Sequence, residues 1–167
     1  MTSTPGRRPI IVVGVDGSPS SEEALRWALR QAAVTGGQVH AVTAWHLPTT
    51  TGWDTALDDV DWAAQAQRTL DTALDAAHPD GTPDVQRHVV EGSAARVLVE
   101  RAADADLLVV GSRGRGALTG MLTGSVALHV LAHAACPVVV VHGARVPSGQ
   151  VPSGQAPGSP GAGALVR

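Results

Sequence analysis

The sequence predicts an α/β domain built as an open, doubly wound parallel sheet with helices on both faces. Five runs of strand length carry the prediction: PIIVVGV (Pro9–Val15), QVHAVTAW (Gln38–Trp45), DVQRHVVEG (Asp84–Gly92), ADLLVVG (Ala105–Gly111) and PVVVVHG (Pro137–Gly143). Between them lie segments whose alanines and leucines recur at helical spacing. Such β–α alternation requires parallel strands joined by right-handed crossovers, which place helices on both faces of the sheet. Composition agrees, because 44% of the residues are apolar yet the only aromatics are four Trp, so the core must be built from Val, Leu, Ile and Ala. That composition suits buried parallel strands covered by alanine-rich helices.

Each element has its own signal. The β-branched run of Pro9–Val15 is continuous and stops at the turn residues DGSPS, as expected of a strand buried on both faces. Ser20 and Glu23 have capping-box spacing and open a helix, along which Ala24, Leu25, Ala28, Leu29 and Ala32 recur until Thr35–Gly37 stops it. Trp27 falls among these positions as packing. The stretch HLPTTTGWD is a loop after the second strand, and LDDVDWAAQAQRTLDTALDAAH carries the second helix with Val60, Ala63, Ala64, Leu70, Ala73, Leu74 and Ala77 toward the core. The third strand, Asp84–Gly92, alternates more weakly and fits a place nearer a sheet edge. Ser93 can cap a third helix in AARVLVERAAD, and Ser125–Ala135 forms the fourth.

With 167 residues the chain is the size of one domain. We expect a flexible N-terminus over residues 1–8, the folded domain over 9–143 and a disordered tail over 144–167. The tail repeats VPSGQ, is rich in Gly, Pro and Ser, and has too little apolar surface to offset its own ordering. Twelve Arg and no Lys against fifteen acidic residues leave a net charge of −3, which argues against a nucleic-acid surface. The single Cys136 has no partner for an internal disulfide and reads as a small packed residue. Arg7 and Arg8 ahead of an apolar run imitate an export signal, but Asp16 interrupts it and no small-residue cleavage site follows. No run reaches the roughly 20 apolar residues of a membrane span. The expectation is a cytoplasmic protein without a membrane or nucleic-acid partner.

In an open parallel sheet, ligands bind outside the carboxyl ends of the strands where the chain switches sides. Two polar clusters fall at such ends. One is VGVDGS, which places Gly14, Val15 and Asp16 after the first strand. The other is GSRGRGALTGMLTGSV, from Gly111 to Val126. Its glycines let backbone N–H groups approach an anion closely, and its Ser125 stands at a helix N-terminus with unpaired donors. The stretch has no Walker lysine and no ordered G-x-G-x-x-G fingerprint. Its spacing is G-x-x-G, nine residues, then G-S, after a fourth strand and before the last helix.

That spacing, together with IIVVGVDGSPSSEEALRWAL and the terminal CPVVVV, resembles the ATP-binding class of the universal stress protein superfamily over roughly Pro9 to Gly143. The resemblance implies the strand order 3-2-1-4-5 and an adenine nucleotide across the carboxyl edge of the sheet. By position, Gly14, Val15 and Asp16 would meet the nucleoside, with Asp16 by the ribose, and Ala44 would lie against adenine. Val110 and Gly111 would close the nucleoside pocket. Gly114, Gly124, Ser125 and Val126 would surround the phosphates, with Arg113 and Arg115 as phosphate partners. The ligand implied is ATP, or AMP or a cyclic nucleotide, with Mg2+ carried by the phosphates. An edge strand at Pro137–Val141 would then pair two copies into a homodimer.

Other chemistries are less well supported. Ser112 is not the serine of G-x-S-x-G, and no Asp or His is placed for a triad. His129 and His133 lie one helical turn apart, but the Glu of H-E-x-x-H is missing, and the pair reads as structural or exposed. Aromatics that could stack a flavin are absent from the expected loops. No general base or arginine-plus-metal set for fast phosphoryl transfer is legible, so the expectation is a stress-response module that signals through its bound nucleotide, with at most slow ATP hydrolysis. The alternative is a dimeric interaction scaffold with a vestigial nucleotide pocket.

Overall fold

A computed structural model describes residues 7–47, 60–77, 84–114 and 123–143 of the chain. Strands and helices alternate along these residues as β1 (Ile10–Gly14), α1 (Pro19–Thr35), β2 (Gln38–Trp45), α2 (Trp62–Ala77), β3 (Val85–Glu91), α3 (Ala94–Arg101), β4 (Leu107–Gly111), α4 (Ser125–His133) and β5 (Val138–Val141). The strands form one parallel sheet in the order β3-β2-β1-β4-β5, so the doubly wound α/β class and its strand order hold. The expected tail over 144–167, the N-terminal residues 1–6 and most of the Thr-rich loop after β2 lie outside the described residues.

Burial follows from the period of the strand. Val12 and Val13 on the central strand are completely inaccessible and point to opposite faces. On one face Ile11, Val13 and Val109 pack with Leu25 and Ala28 of α1 and Leu70 and Leu74 of α2. On the other, Val12, Val42 and Leu108 pack with Val97 and Leu98 of α3 and Ala127 and Val130 of α4. Cys136 packs against this second layer, and burial raises its thiol pKa.

Two helix starts differ from expectation. The α1 N-cap is Ser18, whose Oγ accepts from the Ser21 N–H at 3.3 Å, and Pro19 occupies the first turn. Proline at that place lacks an N–H that would go unpaired anyway and has its φ preset for helix, so the helix begins ahead of the Ser20/Glu23 box. Glu23 instead pairs with Arg26 at 2.6 Å. In α2, Asp61 caps through Oδ1, which accepts from the Ala64 N–H at 2.9 Å. Val60 therefore precedes the helix and is exposed, and Ala66 is buried with Leu70, Ala73 and Leu74. Ser93 stands at the N-cap of α3 without a side-chain cap bond. At the amino edge, Asp106 Oδ2 accepts from both the Ile10 N–H and Arg7, each at 2.8 Å, and Arg8 reaches Asp84 at 3.2 Å.

His40 on β2 and His88 on β3 place their rings 5.2 Å apart, and the Nε2 atom of each is buried without a hydrogen-bond partner among the described residues. Burial lowers both pKa values. The Asp84 carboxylate opposes the shift at His40, Arg101 reinforces it at both rings, and His40 adds to it at His88. The folded state thus favours neutral imidazoles, while the unfolded chain takes up protons near the ordinary value of 6.5. Stability contributed by this pair is present above pH 6.5 and falls as the pH drops through the lowered folded values. Thermal unfolding of the parent and of His88→Gln between pH 7.5 and 5 tests this: the parent is expected to lose melting temperature more steeply, and parallel profiles would contradict it.

Candidate functional site

The strand order reverses between β1 and β4, because the chain runs outward through β2 and β3 and then returns to the other side of β1. A crevice opens outside the carboxyl ends of these central strands, between the turn after β1 and the stretch after β4. The β1 turn is held internally. Asp16 Oδ1 accepts from the Ser18 N–H at 3.0 Å and the Ser18 Oγ–H at 2.6 Å, and the Asp16 N–H donates to Ser21 Oγ at 3.3 Å. The two turns are also tied to each other: the Arg113 carbonyl accepts from Ser18 Oγ at 3.2 Å and from Ser20 Oγ.

This tie demands close approach. A Cβ added to Gly111 would lie 2.8 Å from backbone atoms of Ser20 and Ser21, and one added to Gly114 would lie 2.7 Å from Asp16 Oδ2. Neither glycine is among those with positive φ, and Gly124 has an ordinary φ of −75°. Gly111 is thus required for space rather than for left-handed backbone, whereas at Gly114 the nearest atom is the tip of the Asp16 side chain. A Cβ on Gly124 would meet only ordinary contacts, the nearest at 3.5 Å from the Ser112 carbonyl oxygen.

The crevice is a cleft of about 600 Å³. Of the residues singled out from the sequence, Gly14, Val15, Asp16, Ala44, Val110, Gly111, Arg113, Gly114, Gly124, Ser125 and Val126 line it, and Arg115 lies outside the described residues. Ser112 is completely buried, its Oγ has no hydrogen-bond partner among the described residues, and it does not line the cleft. Sequence reasoning missed Ser21, Val42 and His46, together with Ala94 and Leu98 of α3 and Ala127 and Leu128 of α4. His46 was within reach of the period-two rule, since it follows Ala44 by two residues just past β2. Leu98 was not, because only the packing of α3 against the sheet brings it there.

The lining divides by chemistry. Val15, Val42, Ala44, Leu98 and Val110 supply an apolar floor suited to a flat ring system. Asp16 offers a carboxylate, an acceptor for hydroxyl groups. Beside Asp16 runs the Arg113–Gly114 segment with the exposed Arg113, and the N-terminus of α4 also lines the cleft, where Gly124 at the N-cap provides no side chain to satisfy the first-turn N–H groups. Those donors and the positive end of the helix dipole favour an anion. Among the described residues no helix is long and apolar enough to cross a membrane.

The sequence matches the family model described as "Universal stress protein family" over residues 8–142. The chain belongs to this family. It is 42% identical to the universal stress protein Rv2005c of Mycobacterium tuberculosis over 135 residues, which cover 78% of this chain and 44% of the relative. With the universal stress protein Rv2623 of the same organism it shares 38% identity over 143 residues, covering 79% and 47%. The chain thus spans less than half the length of these relatives. Among solved structures, a universal stress protein in complex with cAMP is 32% identical, with a TM-score of 0.63 over 82% of this chain and 98% of that one. The family member from Archaeoglobus fulgidus in complex with dAMP is 26% identical, with a TM-score of 0.57 over 81% and 98%. UspA from Lactobacillus plantarum, at 22% identity and a TM-score of 0.70 over 81% and 99%, shares the fold.

The spacing of the two turns in this family member generates a stability contrast. Gly111→Ala forces a Cβ onto the backbone of α1 and is expected to cost about 1–3 kcal/mol, the usual range for overpacking a close contact. Gly124→Ala meets no close contact and is expected to cost less, about 0.5–1 kcal/mol for the poorer N-cap alone. Thermal or urea denaturation of the two variants checks this, and equal stabilities would contradict the close approach of β4 to α1.

Proposed function

We propose that this universal stress protein family member binds an adenine nucleotide in the cleft and acts as a regulatory, stress-response module through its ligand-bound state. One observation carries the proposal: eleven residues singled out from two separate sequence clusters and the end of β2 line a single cleft. In this proposal adenine lies on the apolar floor against Ala44, Asp16 accepts from the ribose hydroxyls, and Val110 and Gly111 close the nucleoside end. Gly114, Gly124, Ser125 and Val126 surround the phosphates, whose charge Arg113 meets. The cAMP and dAMP complexes of related structures support an adenine ligand. We take ATP, with Mg2+ carried on its phosphates, as the first ligand to test, and AMP and cyclic nucleotides as its competitors. The module works in the cytoplasm in this proposal.

Binding is read by thermal shift and by mass spectrometry of any nucleotide carried through purification. Saturation to 100 times the dissociation constant should add about 2.7 kcal/mol of stability. Arg113→Ala should weaken ATP by roughly 1.5–3 kcal/mol, the worth of a charge-assisted hydrogen bond, and leave adenosine nearly unaffected. No shift with any adenine nucleotide would favour the scaffold with a vestigial pocket.

The proposal also includes a homodimer through the edge strand. β5 stands at the end of the sheet, its four valines are each only partly buried, and β4 is its strand neighbour. Backbone groups on an open edge beside apolar side chains template pairing with a second copy. Light scattering at tens of micromolar should report twice the chain mass, and Val140→Pro, which removes a backbone donor on the open edge because Pro137 and Val141 are the residues turned toward β4, should shift the protein toward monomer. A monomeric parent would refute this part.

A further inference from the structure

Helix α4 carries two imidazoles beyond the cleft residues of its first turn. His129 and His133 are separated by one helical turn and lie on one face of α4, and both are exposed. Their ring centroids are 4.2 Å apart and the planes are within 19° of parallel. The Nδ1 atom of His133 lies 2.9 Å from the backbone carbonyl oxygen of His129. A carbonyl only accepts, so in this contact Nδ1 carries the proton. In neutral His133 the lone pair is therefore on Nε2, the tautomer that ligates a metal through that atom. A carbonyl partner on the second ring nitrogen is also what orients metal-ligating imidazoles and raises their basicity.

We propose that His129 and His133 form a bidentate imidazole chelate for a divalent transition metal, Cu2+, Ni2+ or Zn2+, on the outer face of α4. The spacing supplies two donors on adjacent turns, and the tether to the His129 carbonyl restricts His133 before any ion arrives, which reduces the ordering cost of chelation. His129 is free to turn into the second position because it is exposed. Among the described residues no group of three or more His, Cys, Asp or Glu could hold a metal, so protein donation stops at two nitrogens and water completes the coordination. Such an open site is weaker than a closed four-ligand zinc centre. Imidazole donors favour borderline ions over the hard cations Mg2+ and Ca2+, which select oxygen. Among divalent ions the affinity should peak at Cu2+. The ion would clip the last turns of α4, the helix whose first turn walls the nucleotide cleft, so metal binding should stabilise that helix whether or not the cleft holds a nucleotide.

Calorimetric titration of the full chain with NiCl2, CuCl2 and MgCl2 in a non-chelating buffer tests the proposal without reference to nucleotide. Cu2+ is expected to bind more tightly than Ni2+, and Mg2+ not at all. His129→Gln and His133→Gln should each weaken Ni2+ by at least about tenfold, the lower end of what losing even an outer partner of a metal ligand costs. His142→Gln, which alters another exposed imidazole, should bind Ni2+ like the parent. Circular dichroism establishes that each variant is folded. The proposal is overturned if both α4 variants bind Ni2+ like the parent, if His142→Gln loses the ion instead, or if Mg2+ competes on equal terms.

Discussion

The hydrogen bonds from Ser18 and Ser20 to the Arg113 carbonyl are the constraint on which the rest of the site depends. They join the start of α1 to the chain leaving β4, across the place where the strand order reverses. Gly111 permits the join, because any side chain there would strike the Ser20–Ser21 backbone. The Ser18 hydroxyl accepts from the Ser21 N–H to cap α1, and its single proton lies between Asp16, the nearer acceptor, and the Arg113 carbonyl. The orientation of Asp16 at the cleft is thus coupled to the helix cap and to the opposite wall.

The division of the cleft into an apolar floor and a polar end follows from the same geometry. The floor combines Val42 and Ala44 of β2, Val110 of β4 and Val15 just past β1 with Leu98 of α3, and all but Ala44 belong to the packed core. The polar end is made by a turn and a helix N-terminus, where backbone donors are left over for lack of a preceding turn. A ligand that carries both a flat apolar ring and an anion matches the two chemistries of this lining. The one described cation at this end, Arg113, is exposed, so its contribution is sensitive to solvent and salt.

The two histidine pairs show how one residue type is set to different uses by its element. His40 and His88 face each other across β2 and β3 with buried Nε2 atoms that have no partner among the described residues, so burial penalises their charged forms. His129 and His133 stand exposed on α4, where the i, i+4 spacing aligns the rings. Only the second arrangement leaves room for an incoming ion and its water.

Local pattern alone determined the element types, the parallel sheet and the two turns that converge at its carboxyl edge. β-branched runs, helical spacing and glycine clusters are short-range signals, and crossover geometry leaves few topologies for them to share. The α1 start was misplaced by that same local logic: two serines compete for the cap, and the Pro19 beside Ser18 decides between them. What only the tertiary structure decided is why Gly111 is needed and what else lines the cleft. Gly111 looks in sequence like a turn glycine, yet its requirement comes from the backbone of Ser20 and Ser21, far earlier in the chain. Leu98 and Ala94 enter the cleft because α3 packs across β1 and β2, and the free tautomer of His133 rests on a carbonyl contact inside α4. Such contacts depend on distances in space, which a linear pattern does not encode.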